Sequence, residues 1–186
     1  SRGLGDVYKR QVKVGTGLLN NHWTFDARLS NIGTDGYIDR ASVNLNSYYL
    51  QGGYFAENTS VKLIAFAGKE KTYHAWGYAA KAEIEEHGRQ YNPCGEYTGD
   101  DNEKHYYADQ TDNYLQKNYQ LLFNHTFSTA WNLNVALHYT KGDGYYEEYK
   151  PGSSLVEYGL KPFNPDGTET NESDLVRQKK MDNKFG

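Results

Sequence analysis

Six histidines and one cysteine are the residues of this chain whose types suit metal-ligand or nucleophilic chemistry. His22, His74, His87, His105, His125 and His138 form no pair at ligand spacing, and a zinc site needs three or four convergent donors. No metal site is expected from them. Cys94 stands in Asn92-Pro93-Cys94-Gly95, and with no second cysteine it makes no internal disulfide; an unreactive loop thiol is the expected role. No glycine-rich loop opens a helix and no nucleophile elbow occurs, so neither a phosphate cradle nor a catalytic triad is expected. The sequence assigns no catalytic residue, no cofactor and no enzymatic activity.

Two sets of side chains suit binding instead. Between residues 83 and 112 nine carboxylates face only Arg89 and Lys104. Carboxylates can hold a divalent cation, but a solvated acidic loop is the plainer expectation. The connection from about 70 to 117 carries Trp76, Tyr78, Tyr91, Tyr97, Tyr106 and Tyr107, rigid amphipathic groups suited to ligand contact. Nucleic acid is not an expected partner, because the net charge is -4 and no basic stripe is present.

The elements that must position these residues are strands. Eighteen tyrosines and 19 glycines against a single methionine make a β composition. Polar and apolar residues alternate over 22–30, 42–55, 61–68, 119–127 and 131–139, and 12–19 is a shorter β run, giving about six strands. Short helices are expected over 79–87, stopped by Gly88, and over 173–180, with Ser173 as N-cap. The remainder of 70–117 and of 141–183 reads as loop.

The connections alternate. Tight turns at 20–21, 56–60 and 128–130 are interleaved with a medium loop at 33–41 and the two very long ones. All the length therefore falls at one end of the strands, which is the pattern of a transmembrane β-barrel with short periplasmic turns and long extracellular loops. Strands of about ten residues suffice to cross a bilayer. Trp23, Phe55, Phe127 and Trp131 fall beside the short turns, at one level of such a membrane. Asp26, Arg28, Asn44 and Asn46 are expected to face the lumen. Six strands cannot close a barrel, so residues 12–186 read as an open slice of a larger one. No run of about 18 apolar residues and no signal peptide are present.

The stretch TFDARLSNIGTDGYIDRASVNLNSYYLQGGY resembles the early barrel strands of TonB-dependent outer-membrane receptors of Bacteroidetes-like bacteria. Arg89-Gln90-Tyr91-Asn92-Pro93 with Asp112-Asn113-Tyr114-Leu115-Gln116 resembles the long loop and re-entering strand of that family. Trp131 to Tyr139, followed by Gly142-Asp143-Gly144-Tyr145-Tyr146, continues the likeness. The resemblance implies an outer-membrane location in a Gram-negative cell and a barrel of about 22 strands around an N-terminal plug. It implies energy-coupled uptake of a large scarce nutrient, with an iron-siderophore complex first and cobalamin, haem or a glycan behind it. The partners implied are outer-membrane lipid, the ligand, and the TonB complex acting through a plug that these residues do not contain. The loop aromatics would touch ligand, and the lumen-facing residues would touch the plug. The alternative reading is a soluble β-sandwich that binds glycans with its Tyr-rich loops.

Residues 1–11, SRGLGDVYKRQ, have no period and stand outside the resemblance. They resemble a translated sequencing-library adapter and are expected to be a non-native segment, outside the fold or extending the first strand by chance.

Overall fold

The computed structural model describes residues 6–186. Its main element is one antiparallel meander, as the alternation predicts. The strands are β1 (Val7–Gly15), β2 (Trp23–Thr34), β3 (Val43–Ala56) and β4 (Thr59–Tyr73). After them come helix α1 (Lys81–His87) and a small hairpin of β5 (Glu96–Thr98) and β6 (Lys104–Tyr106). The chain returns to the sheet in β7 (Thr111–Ser128), β8 (Trp131–Ser154) and β9 (Glu172–Phe185). The order is β1-β2-β3-β4-β7-β8-β9, and among the described residues the sheet stays open, with β1 and β9 at its edges. No helix among the described residues is long and apolar enough to cross a membrane, which leaves crossing by strands untouched.

The local chemistry explains the turns. Asn20 and Asn21 take positive φ values of 47° and 60°, a conformation asparagine tolerates better than most residues. Glu57-Asn58 closes β3 onto β4 as a two-residue connection. Helix α1 is started by Glu83, whose carboxylate accepts the Ala80 N–H at 2.6 Å, and stopped by Gly88 at φ 92°.

Two expectations about elements change, and one open alternative is decided. The sheet has seven strands, and β8 runs 24 residues, well past the expected end at 139. The helix expected over 173–180 is strand β9, paired with β8 from Ser154 to Thr140. Its Arg, Gln and Lys residues favour helix locally, but a neighbouring strand with open hydrogen-bonding groups overrides that preference. Finally, Val7–Gln11 pair with Thr34–Ser30 and lengthen β1, with Val7 and Tyr8 still 67% and 57% exposed. They join through backbone rather than by packing. Residues 1–5 of the adapter-like segment lie outside the described residues.

Register sorts side chains onto two faces, because directly paired residues point the same way. One face, here called aromatic, carries Trp23, Phe25, Ala27 and Leu29, opposite Tyr54, Gly52, Leu50 and Tyr48. It continues through Val61, Leu63, Ala65 and Ala67 of β4 to Phe123, Leu121 and Tyr119 of β7 and Val135, Leu137 and Tyr139 of β8. The polar face carries Asp26, Arg28, Gln51, Lys62, Gln120, Asn124, Asn134 and His138. Asn44 and Asn46 are not on it. They pair with Gly33 and Asn31, which puts them on the aromatic face beyond the end of its apolar band. Alternation within β3 separates two faces but does not say which is which; the Ala27↔Leu50 pairing does. Phe55, paired with Ser60, likewise points to the polar face, unlike Trp23.

The apolar band is open and the polar face only half covered, with Arg28, Asn124, Asn134 and His138 exposed. Leu29, Leu63 and Leu137 are 62%, 60% and 58% exposed, while Asp26, Ser30 and Gln51 behind them are partly covered. The apolar band also steps across the sheet. On β2 it ends at Leu29 toward the loops, yet Lys117 and Lys141 occupy that same row on β7 and β8. Toward the turns, Val135 shares the row of Trp23, and β8 runs on four further residues to Trp131. The few buried side chains, among them Tyr73, His74, Asn92, Cys94 and Leu155, gather at the loop end.

Candidate functional site: a loop cap on the strand ends

The connection from β4 to β7 folds back over the strand ends and is tied to the β2–β3 loop. Asn92, 1% exposed, is the knot. Its Nδ2 donates to the carbonyl oxygens of Asp39 and His74, both at 2.9 Å, and its Oδ1 accepts the Cys94 N–H at 3.0 Å. The Asp39 N–H donates to Gln90 O at 2.8 Å, and Gln90 Nε2 donates to Tyr37 O at 2.8 Å. Arg40, at φ 62°, donates to the Asn92 carbonyl and lays its guanidinium 3.6 Å from the Tyr106 ring centroid. Tyr73 Oη lies 3.1 Å from Cys94 O and 2.9 Å from Tyr107 O, sharing its proton between them. Cys94 Sγ accepts the Gly77 N–H at 3.2 Å, so the thiol is structural.

Around this knot sit three aromatic groups. Trp76 stacks on buried His74 with centroids 4.0 Å apart and meets the edge of Tyr146 at 5.8 Å, leaving it 49% exposed. Tyr91 donates to Glu96 at 2.6 Å, and Lys104 pairs with the same carboxylate at 2.8 Å. Tyr97 lies 4.5 Å from Tyr149, which stacks on Tyr107 at 5.4 Å. Tyr107 donates to Glu147 at 2.5 Å, and Tyr149 donates to Asp174.

These contacts set the electrostatics. Burial, then the bond to Glu96, pushes Tyr91 up to about 12. Burial pushes Glu96 upward, but bonds from Lys104 and Tyr91 outweigh it and hold the carboxyl below its ordinary range. The bond to Glu147, then burial, pushes Tyr107 up to about 12. His74 is held below its ordinary value by burial, against the pull of Asp112, whose Oδ2 lies 3.5 Å from Nε2. Among the described residues neither ring nitrogen of His74 has a hydrogen-bond partner.

The aromatics expected from sequence thus divide. Tyr91 and Tyr106 are held by Glu96 and Arg40, Tyr97 and Tyr107 by Tyr149, and Trp76 stands apart on His74. Tyr78, 99% exposed, touches none of these groups. Sequence reasoning missed Arg40, Asn92, Tyr146 and Tyr149. The run Gly144-Tyr145-Tyr146 was the available signal for β8 continuing into the cap. The acidic residues do not converge: among the described residues no three of His, Cys, Asp or Glu cluster as a metal site would require. On the sheet, Asp26 and Arg28 share the polar face, Arg28 lying 5.8 Å from the Tyr49 ring. Asn31 Nδ2 donates to Asn44 and Asn46 at 3.2 Å and 2.9 Å on the opposite face.

No protein-family model matches the chain, no curated protein matches it in sequence, and no solved structure matches it.

Proposed function

We propose that this sheet is part of a β-barrel of the Gram-negative outer membrane, of the TonB-dependent receptor type, and that its loop cap faces outward to capture ligand. The observation that carries the reading is the exposed apolar band on one face, backed by a face of polar side chains such as Asp26, Gln51, Gln120 and His138. Water penalises that arrangement, whereas lipid outside and a wet or plugged lumen inside favour it. The open edges at β1 and β9 would be paired by further strands. Transport would need the plug and the TonB complex, neither carried by these residues. The cap would offer Trp76 and the Tyr97, Tyr107 and Tyr149 group to a large ligand, an iron-siderophore complex first, then cobalamin, haem or a glycan.

Nitroxide labels at Leu63 and Leu137, compared with Gln120 and His138, test this in membranes. Leucine labels reached by oxygen but not by a water-soluble relaxant, with the opposite at the polar sites, support it; labels at Leu63 and Leu137 buried in protein refute it.

One observation favours a second reading, the glycan-binding β-sandwich. A groove of about 770 Å³ crosses the aromatic face between Phe25, Leu50, Leu63 and Leu121. A second sheet packed there would bury the same leucines, which is the refuting outcome above.

A further inference from the structure

Lysines cluster where the apolar band of the aromatic face ends toward the loops. Lys117 of β7, Lys141 of β8 and Lys184 of β9 are directly paired across three neighbouring strands. Like charges placed directly opposite one another repel, so the row costs stability in isolation. Carboxylates two residues along the same strands relieve part of it: Lys141 lies 3.7 Å from Asp143 and Lys184 lies 3.9 Å from Asp182, in largely exposed pairs. Among the described residues Lys117 has no ion-pair partner, nor does Lys69, which borders the band on β4. On β1 the border residue is Arg10. Immediately below Lys117 and Lys141, Tyr119 and Tyr139 stack with centroids 6.4 Å apart.

We infer that this border is a belt for the phosphates of anionic lipid headgroups. Apolar side chains, then paired tyrosines, then a lysine row repeat the order of hydrocarbon, interface and headgroup met along a membrane normal. The chain as a whole is acidic, at -4, so general charge does not explain a basic row there. A phosphate between neighbouring lysines removes their repulsion. The inference rests on the membrane reading for which face meets lipid, and it adds which lipids that face selects.

The test is flotation of the full chain, folded from detergent, with vesicles of phosphatidylcholine alone or with added phosphatidylglycerol. Binding should be stronger with phosphatidylglycerol and should weaken with salt. Replacing Lys117, Lys141 and Lys184 by Gln should remove about fivefold per lysine, on the order of a hundredfold together. Replacing polar-face Lys13, Lys62 and Lys179 by Gln changes net charge equally and should leave the preference intact. Circular dichroism checks that each variant keeps its strand content, and Lys→Arg at the three belt positions should retain the preference. The belt is overturned if the unaltered chain shows no preference, if the belt variant keeps it, or if both triple variants lose it alike. Labels at Leu137 separate the two ideas. Lipid contact there without lysine dependence sinks the belt alone; lysine dependence without lipid contact sinks the barrel alone.

Discussion

His74 and Trp76 stack with ring centroids 4.0 Å apart and planes 31° from parallel, and His74 is almost wholly buried beneath the indole. Protonating His74 would place a charge where neither nitrogen has a hydrogen-bond partner, facing Asp112 of β7, Glu148 of β8 and the Tyr146 ring. Its folded-state value is depressed, so the opened cap takes up the proton first. The cap is therefore firmest above the ordinary histidine value of 6.5 and loosens as pH falls from there toward the depressed value. Hydrogen exchange at the His74 and Asp39 amides, corrected for intrinsic rates, should accelerate on acidification. His74→Phe should flatten that response; an unchanged pH profile in the variant would refute the assignment.

Asn92→Ala should open the cap without unfolding the sheet. It leaves the buried His74 carbonyl, the part-buried Asp39 carbonyl and the buried Cys94 N–H without their partner, a loss of about 1–3 kcal/mol. Buried Cys94, bonded to Asn92, reports it: a thiol reagent should modify Cys94 on the order of tenfold faster or more, with strand content unchanged.

Two glycines in the sheet should respond oppositely to alanine. A Cβ on Gly144 would sit 2.2 Å from the Asn113 carbonyl oxygen and 2.8 Å from Tyr114 Cα, backbone that cannot step aside. Gly144→Ala should cost about 1–3 kcal/mol. A Cβ on Gly68 meets nothing within 4 Å, so Gly68→Ala should be neutral or stabilise by about 0.5–1 kcal/mol. Urea midpoints of the folded chain in detergent micelles would rank the two.

Neighbouring residues on opposite faces give the sharpest contrast for the membrane proposal. Leu137→Arg should lower stability in lipid by about 2–4 kcal/mol, and His138→Arg should have a far smaller effect. Equal costs at the two positions would contradict it. The measurement is equilibrium unfolding of the protein from vesicles.

The strands legible in the sequence were those whose alternation is uninterrupted, such as β2 and β8 up to Tyr139. Past Tyr139 the signal fails because Gly142 and Gly144 interrupt the side-chain pattern while the backbone ladder continues beside Tyr114. In β9 the residues themselves argue for helix, and only a paired neighbour decides. Asp26 and Arg28 share one face of the sheet while Asn44 and Asn46 lie on the other, since facing depends on register between strands. At the cap, the aromatic inventory was visible but its partners were not. Asn92 reaches Asp39 across 53 residues, a contact that no local pattern encodes.

The step in the apolar band has a geometric meaning. If Trp23 and Trp131 mark one membrane surface, four residues of offset accumulate across the four spacings between β2 and β8. At about 3.3 Å per residue and about 4.8 Å per spacing, that is an inclination of roughly 35° between the strands and the membrane normal. Barrel strands in outer membranes lean by about 35–45°. On the proposed membrane placement the two tryptophans would act as a spirit level, and the angle they would give is one at which a sheet can wind into a tube.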